Sequence, residues 1–158
     1  MEKLKWVDPG KLHVTLRFLG ETDPGQLKGI MGMLEETVPT FISPEVRFMG
    51  LGLFRSVRDP RVLWIGMDTG PVLPDLKRLL DQQLVRAGFP AENRKFSAHL
   101  TLARITSIKD TELLGKLLNQ YRNSFFQKNR MDEVVLYESI LRPAGPEYRA
   151  LKKVAFKS

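Results

Sequence analysis

Apolar and polar residues alternate along KLHVTLRFL, residues 11–19. Val14, Leu16 and Phe18 fall on one side, and His13, Thr15 and Arg17 on the other. A period of two belongs to a strand with one buried face, so a strand is predicted here. Asp23 and Pro24 have the character of a helix cap and first helical residue. The helix they open is predicted to run to about residue 38 and to stop ahead of Pro39. Gly29 and Gly32 weaken it. Strands are predicted over residues 44–54 and 61–67, joined by the basic loop RSVRDPR. Residues 74–87 carry the clearest helical stripe, Leu76, Leu79, Leu80 and Leu84, with Gly88 as a stop. Then come a second histidine-bearing strand (96–105), a helix (110–121) with Leu113, Leu114, Leu117 and Leu118 turned inward, and strands over 131–141 and 148–156 separated by the turn RPAGP.

These elements repeat. His99 lies 86 residues after His13, and the same shift carries Thr15 onto Thr101, Leu16 onto Leu102, and the helix start at Pro24 onto Asp110. Identity is thin outside the histidine segments, but the order strand, helix, strand, strand recurs at one offset. The fold expected is therefore α+β: two pseudo-symmetric lobes of antiparallel sheet with outer helices, flanking a central cleft. The whole chain, 1–158, forms one bilobal domain, with repeat 1 over about 11–68, repeat 2 over about 97–154 and a linking helix over about 74–87. That helix has no mate ahead of residue 1, so the chain is expected to lack an N-terminal strand and helix.

Composition changes this picture little. The 158 residues, 42% hydrophobic and 27% charged, are those of an ordinary globular chain. A net charge of +7 favours a polyanionic partner only weakly. Cysteine is absent, which removes disulfides and thiolate metal sites. With no long apolar run and no apolar leader, a cytoplasmic protein without membrane association is expected.

The chemistry lies in the histidines. There are two, and each opens the pattern H-x-T-L: His13-Val14-Thr15-Leu16 and His99-Leu100-Thr101-Leu102. A lone histidine on a half-apolar strand is more often a satisfied structural residue. Two in matching contexts at equivalent repeat positions point to function. On a strand, His and the Thr two places on share a face, so each motif offers an imidazole beside a hydroxyl. Histidine as a residue type can take or give a proton near neutral pH. In-line displacement at phosphorus requires both acts, on opposite sides, with donors and cations holding the non-bridging oxygens. No zinc site is expected, because two histidines without cysteine would need carboxylate partners and neither motif carries one.

The motifs KLHVTLRFLGE and KFSAHLTLAR, with RVLWIGM and the ending ESILRPAGPEYRAL, resemble those of the RNA 2′,3′-cyclic phosphodiesterase family, also called bacterial 2′-5′ RNA ligases, of the two-histidine (2H) phosphoesterase superfamily. The resemblance spans essentially the whole chain. It implies metal-independent hydrolysis of a 2′,3′-cyclic phosphate to a 2′-phosphomonoester, without cofactor, with reverse 2′-5′ ligation allowed by microscopic reversibility. His13, Thr15, His99 and Thr101 correspond to the catalytic quartet, and Arg104 to the arginine that closes the second motif and contacts phosphate. Ideal strand parity places Arg104 opposite to His99, so a bulge or a strand end is required to turn it inward. His99 is assigned as base and His13 as acid, an order that near-identical motifs leave reversible.

Other residues are weighed with lower priority. Arg17 shares the predicted His13 face and is a phosphate-binding candidate, or else a solvated strand cation. Arg55, Arg58 and Arg61 can guide an RNA backbone or be an ordinary basic loop. Phe54 and Trp64 can stack on a base or serve as core aromatics. The partner expected is RNA or an oligonucleotide with a cyclic phosphate end. The alternatives are a non-catalytic RNA- or nucleotide-binding module, or a phosphodiesterase for small cyclic nucleotides or 2′-5′ linkages. A monomer is expected, with a dimer by strand exchange if the N-terminal element is absent.

Overall fold

The computed structural model describes residues 2–158. It divides into two compact units built from interleaved segments. One takes the N-terminal residues through Thr15, then Val46–Thr69 and Ser97–Asn129; the other takes Leu16–Glu45, Gly70–Phe96 and Arg130–Ser158. The architecture is α+β.

The first unit is a five-stranded antiparallel sheet. Its strands are β1 (Lys3–Trp6), β2 (Glu45–Arg55), β3 (Pro60–Asp68), β4 (His99–Ser107) and β5 (Phe125–Arg130), in the order β1-β4-β3-β2-β5. Ile65, Ala103 and Ile105 are buried. Helix α3 (Thr111–Gln120) follows β4, and the Asp110 side chain accepts from Leu113 N to cap it. Only part of the expected inward stripe of α3 is realised: Leu114 and Leu118 are half-buried, while Leu113 and Leu117, one residue and so about 100° around the helix, face solvent. Gly50 interrupts the β2–β3 register at φ 74 and donates to Ser124 O at 2.9 Å. A Cβ there would lie 2.4 Å from Arg122 O, so a glycine is required where this bulge meets the chain leading to β5.

The second unit packs helices α1 (Pro24–Thr37) and α2 (Val72–Arg86) with the hairpin β6 (Glu133–Arg142) and β7 (Gly145–Ala155). Asp23 and Gln26 form a reciprocal capping box at the start of α1. Leu73, Leu76, Leu80 and Leu84 bury the stripe of α2, each worth roughly 1.5–3 kcal/mol of burial. Ile30, Leu34, Val38, Phe89, Leu136 and Val154 complete this core.

The 86-residue offset holds for the hairpins β2–β3 and β6–β7 and for α1 and α3, but not for the first histidine segment. Residues 12–19 form no strand, in contrast to the expectation over 11–19. A strand needs a ladder, and among the described residues none pairs with this segment; β4, its counterpart, is paired on both sides by β1 and β3. The alternation also breaks at a bend on Leu16, so that Phe18 is 80% exposed while Arg17 is drawn inward. Two strands went unanticipated, β1 and β5. The first is only four residues long, and the second, FFQKNR, has no apolar alternation and every residue exposed.

Candidate active site

Strand β4 carries the second motif, and its register decides which side chains share a face. Residues directly opposed in an antiparallel ladder point the same way. His99 opposes Gly66, Thr101 opposes Trp64 and Arg104 opposes Val62. Val62, Trp64 and Gly66 alternate along β3, so His99, Thr101 and Arg104 all project from one face. The register skips Leu102 between Thr101 and Ala103. This is the bulge that Arg104 required. One extra residue flips the parity, sending Ala103 and Ile105 to the buried side and Arg104 to the exposed side. On β1, Lys5 opposes Arg104 and adds a second cation to the face.

Two aromatics hold the His99 ring. Phe54 meets it edge-on, at a centroid separation of 4.8 Å and an interplanar angle of 86°, and Trp64 lies at 6.1 Å. Trp64 in turn rests on Gly52, its cross-strand partner on β2. A Cβ at Gly52 would stand 2.2 Å from Cζ2 of the indole. The indole Nε1 is buried with no hydrogen-bond partner, so the ring is held by shape and apolar contact. Phe54 and Trp64 are therefore supports of the histidine in this structure, whatever else they touch.

Both imidazoles are oriented by the same device. His13 Nδ1 is 2.7 Å from the Lys11 carbonyl oxygen, and His99 Nδ1 is 2.9 Å from that of Ser97. A carbonyl only accepts, so Nδ1 must carry the proton in each bond. The neutral tautomer then has its lone pair on Nε2, the same ring nitrogen in both motifs. His13 and Thr15 belong to the same compact unit as His99 and Thr101. The chain reaches them from Val7, whose N–H donates to Leu102 O at 2.8 Å, through a 3-10 turn at Pro9–Lys11 capped by Asp8. The first motif is thus tethered to β4 six residues ahead of His13.

Arg17 belongs to the other compact unit. Its guanidinium pairs with Asp81 at 3.2 Å and donates to the Pro90 carbonyl, with the side chain 10% exposed. Lys77, also buried, shares the same carboxylate. These contacts hold the Arg17 guanidinium among side chains of the second unit. In the β2–β3 loop, Asp59 ties together two of the three expected arginines, Arg55 at 2.6 Å and Arg61 at 3.0 Å. Its carboxyl is held below the usual carboxylate range chiefly by the hydrogen bond from Arg55, against an opposing desolvation, with the charges of Arg61 and Arg55 adding to the lowering. Arg55 adopts φ 73, a left-handed conformation uncommon for a side-chain-bearing residue, and the ion pair helps to hold it there. Among the described residues no three His, Cys, Asp or Glu side chains are grouped to hold a metal ion, and no helix is long and apolar enough to cross a membrane.

An oriented histidine beside a threonine and an arginine on one sheet face, with a second histidine presented through the same ring nitrogen, is the equipment of a phosphoesterase. The LigT-like phosphoesterase family model matches residues 1–64 and 67–148. The chain belongs to that family and is an enzyme of the cyclic phosphodiesterase class. It is 34% identical over 146 residues to the RNA 2′,3′-cyclic phosphodiesterase of Methanothermobacter thermautotrophicus, covering 92% of this chain and 79% of that one. Among solved structures it is similar to a Thermus thermophilus protein, with a TM-score of 0.77 and 25% identity over 96% of this chain and 81% of the other. It is also similar to Escherichia coli LigT complexed with 3′-AMP, with a TM-score of 0.69 and 26% identity over 98% and 82%.

Proposed function

We infer that the chain hydrolyses 2′,3′-cyclic phosphate ends of RNA to 2′-phosphomonoesters by acid–base catalysis with His13 and His99, without a metal ion, in the cytoplasm. The observation that carries this reading is the matched pair of Nδ1–carbonyl bonds, which orients both imidazoles through Nε2. In the reaction, His99 takes a proton from water as the water oxygen bonds to phosphorus. The P–O3′ bond breaks in line, and His13 delivers a proton to O3′. Phosphorus stays on O2′. Thr15, Thr101 and Arg104 hold the non-bridging oxygens, where charge accumulates. A 5′-hydroxyl in place of water would run the same steps to a 2′-5′ linkage.

The test is turnover of an oligonucleotide with a 2′,3′-cyclic phosphate end, in EDTA, by the wild type, His13→Ala and His99→Ala. The wild type should yield a 2′-phosphate, and each variant should lose about 10²- to 10⁴-fold in rate. RNA binding without any product from the wild type would instead make the chain a binding module.

A further inference from the structure

The face that carries His99 does not end there. Followed across the ladder, His99 opposes Gly66 on β3, and Gly66 opposes Met49 on β2. One alternation further along, Asp68 opposes Arg47. Arg47 therefore projects from the same face as His99, two strands across and two residues along, roughly 12 Å away from standard strand spacings. Its guanidinium carbon stands 5.5 Å from the ring centroid of Phe125, on the edge strand β5. Phe125 is 52% exposed. Alternation along β5 puts Gln127 and Asn129 on the side of Phe125, whereas Phe126, on the other side, lies against Tyr121.

A cation on an aromatic ring, with two amides beside it, has the composition of a single-stranded nucleic-acid surface: a charge for phosphate, a π-face for a base and donors and acceptors for base edges. Between this group and His99 the face carries Gly66 and, opposite it on β2, the half-buried side chain of Met49, an apolar floor over which a strand would run. We propose that Arg47, Phe125, Gln127 and Asn129 form a subsite for the nucleotides upstream of the cyclic end, so that the enzyme selects RNA strands over cyclic mononucleotides. The subsite rests on the reading of His99 as part of the phosphodiesterase centre. Asp68, across the ladder from Arg47, reduces the local positive charge, so the aromatic and amide contacts share the selection with the cation.

The experiment compares kcat/KM for a single-stranded oligonucleotide with a 2′,3′-cyclic phosphate end and for a 2′,3′-cyclic mononucleotide, over a range of salt. Wild type should prefer the oligonucleotide. Phe125→Ala and Arg47→Ala should each cut that preference by about tenfold, the loss expected of one stacked base or one desolvated phosphate contact. Arg47→Ala should also lower the salt slope of the oligonucleotide reaction by about 0.7. Phe125→Tyr, which keeps the ring, should retain the preference. Lys116→Ala, which removes a cation paired to Glu112 on α3, should leave the preference and the slope as they are. A wild type that turns over both substrates equally well overturns the subsite without any variant. So do variants that lose both reactions alike or neither. A wild type inert toward both substrates overturns the phosphodiesterase reading itself and takes the subsite with it.

Discussion

Gly52→Ala is a perturbation whose sign separates this architecture from an ordinary sheet. In a strand interior, glycine usually costs about 0.5–1 kcal/mol relative to alanine, so the substitution would normally stabilise. Here the new Cβ would meet Cζ2, Cη2 and Cε2 of Trp64 at 2.2, 2.3 and 2.6 Å. Ordinary carbon contacts begin near 3.5 Å, so the indole must retreat by roughly 1 Å. Overpacking of that kind typically costs 1–3 kcal/mol, and a net loss of about 1–2 kcal/mol is expected once the entropic gain is subtracted. The indole cannot retreat alone. It lies 5.7 Å from Phe54 and 6.1 Å from His99, and Phe54 is edge-on to the imidazole. A displacement of this size at a reacting group can cost about 10²-fold in rate. Urea denaturation would read the stability and single-turnover kinetics the rate. Gly52→Ala combined with Trp64→Leu should recover stability relative to the sum of the single changes, because the clash needs both side chains. A variant as stable and as active as the wild type would refute the idea that Gly52 exists to seat the indole and, through it, the histidine.

A 3′-bridging sulfur in the cyclic phosphate removes the need for an acid. It should restore most of the rate of His13→Ala and little of that of His99→Ala; the reverse pattern would exchange the two roles. Asp81→Ala leaves Arg17 and Lys77 buried without their carboxylate. About 3 kcal/mol of stability should be lost with KM for the cyclic phosphate unchanged, and a large KM effect would return Arg17 to the site. Because the Asp59 carboxyl is held below its ordinary value, its link to Arg55 and Arg61 contributes fully above the ordinary carboxylate range and disappears as pH falls through the lowered value. NMR titration of the β2–β3 loop should show that order. Asp59→Asn at neutral pH should steepen the salt dependence of oligonucleotide turnover if the loop guides RNA.

The helices were legible because their signals are local. Asp23-Pro24 with Gln26, and the leucines of α2, act within a turn or two of the chain. So were the hairpins, whose alternation is interrupted by turn residues. The first histidine segment was misread for a physical reason. Alternation tells which side chains can share a face, but a strand also needs a ladder, and residues 12–19 join no sheet among the described residues. β5 was missed because an edge strand exposed on all its residues leaves no apolar pattern. Within the site, the histidines and threonines stood out from repetition. Parity asked for a bulge or a strand end at Arg104, and the skipped Leu102 is the bulge. The Arg17 pairing was hidden from such reasoning, since Asp81 is 64 positions away in the chain. The role of Gly52 was equally hidden, because only the ladder shows that Trp64 lies over it.

The carbonyl partners of the two imidazoles bear on how a duplicated motif can serve two opposite roles. A carboxylate on Nδ1 would orient the ring and also favour its charged form. A main-chain carbonyl orients the ring with a neutral dipole. Two histidines held in this way present the same nitrogen, Nε2. The division of labour must then come from what surrounds each ring. His99 lies half-buried against Phe54 and Trp64, whereas His13 is exposed and preceded by the capped turn at Pro9–Lys11. Exchange of the aromatic support is therefore a perturbation that acts on His99 and not on His13. On the proposed assignment of His99 as base, Phe54→Leu should depress the rate with the oxygen leaving group and with the sulfur one alike. A defect confined to the oxygen substrate would instead place Phe54 in service of proton donation.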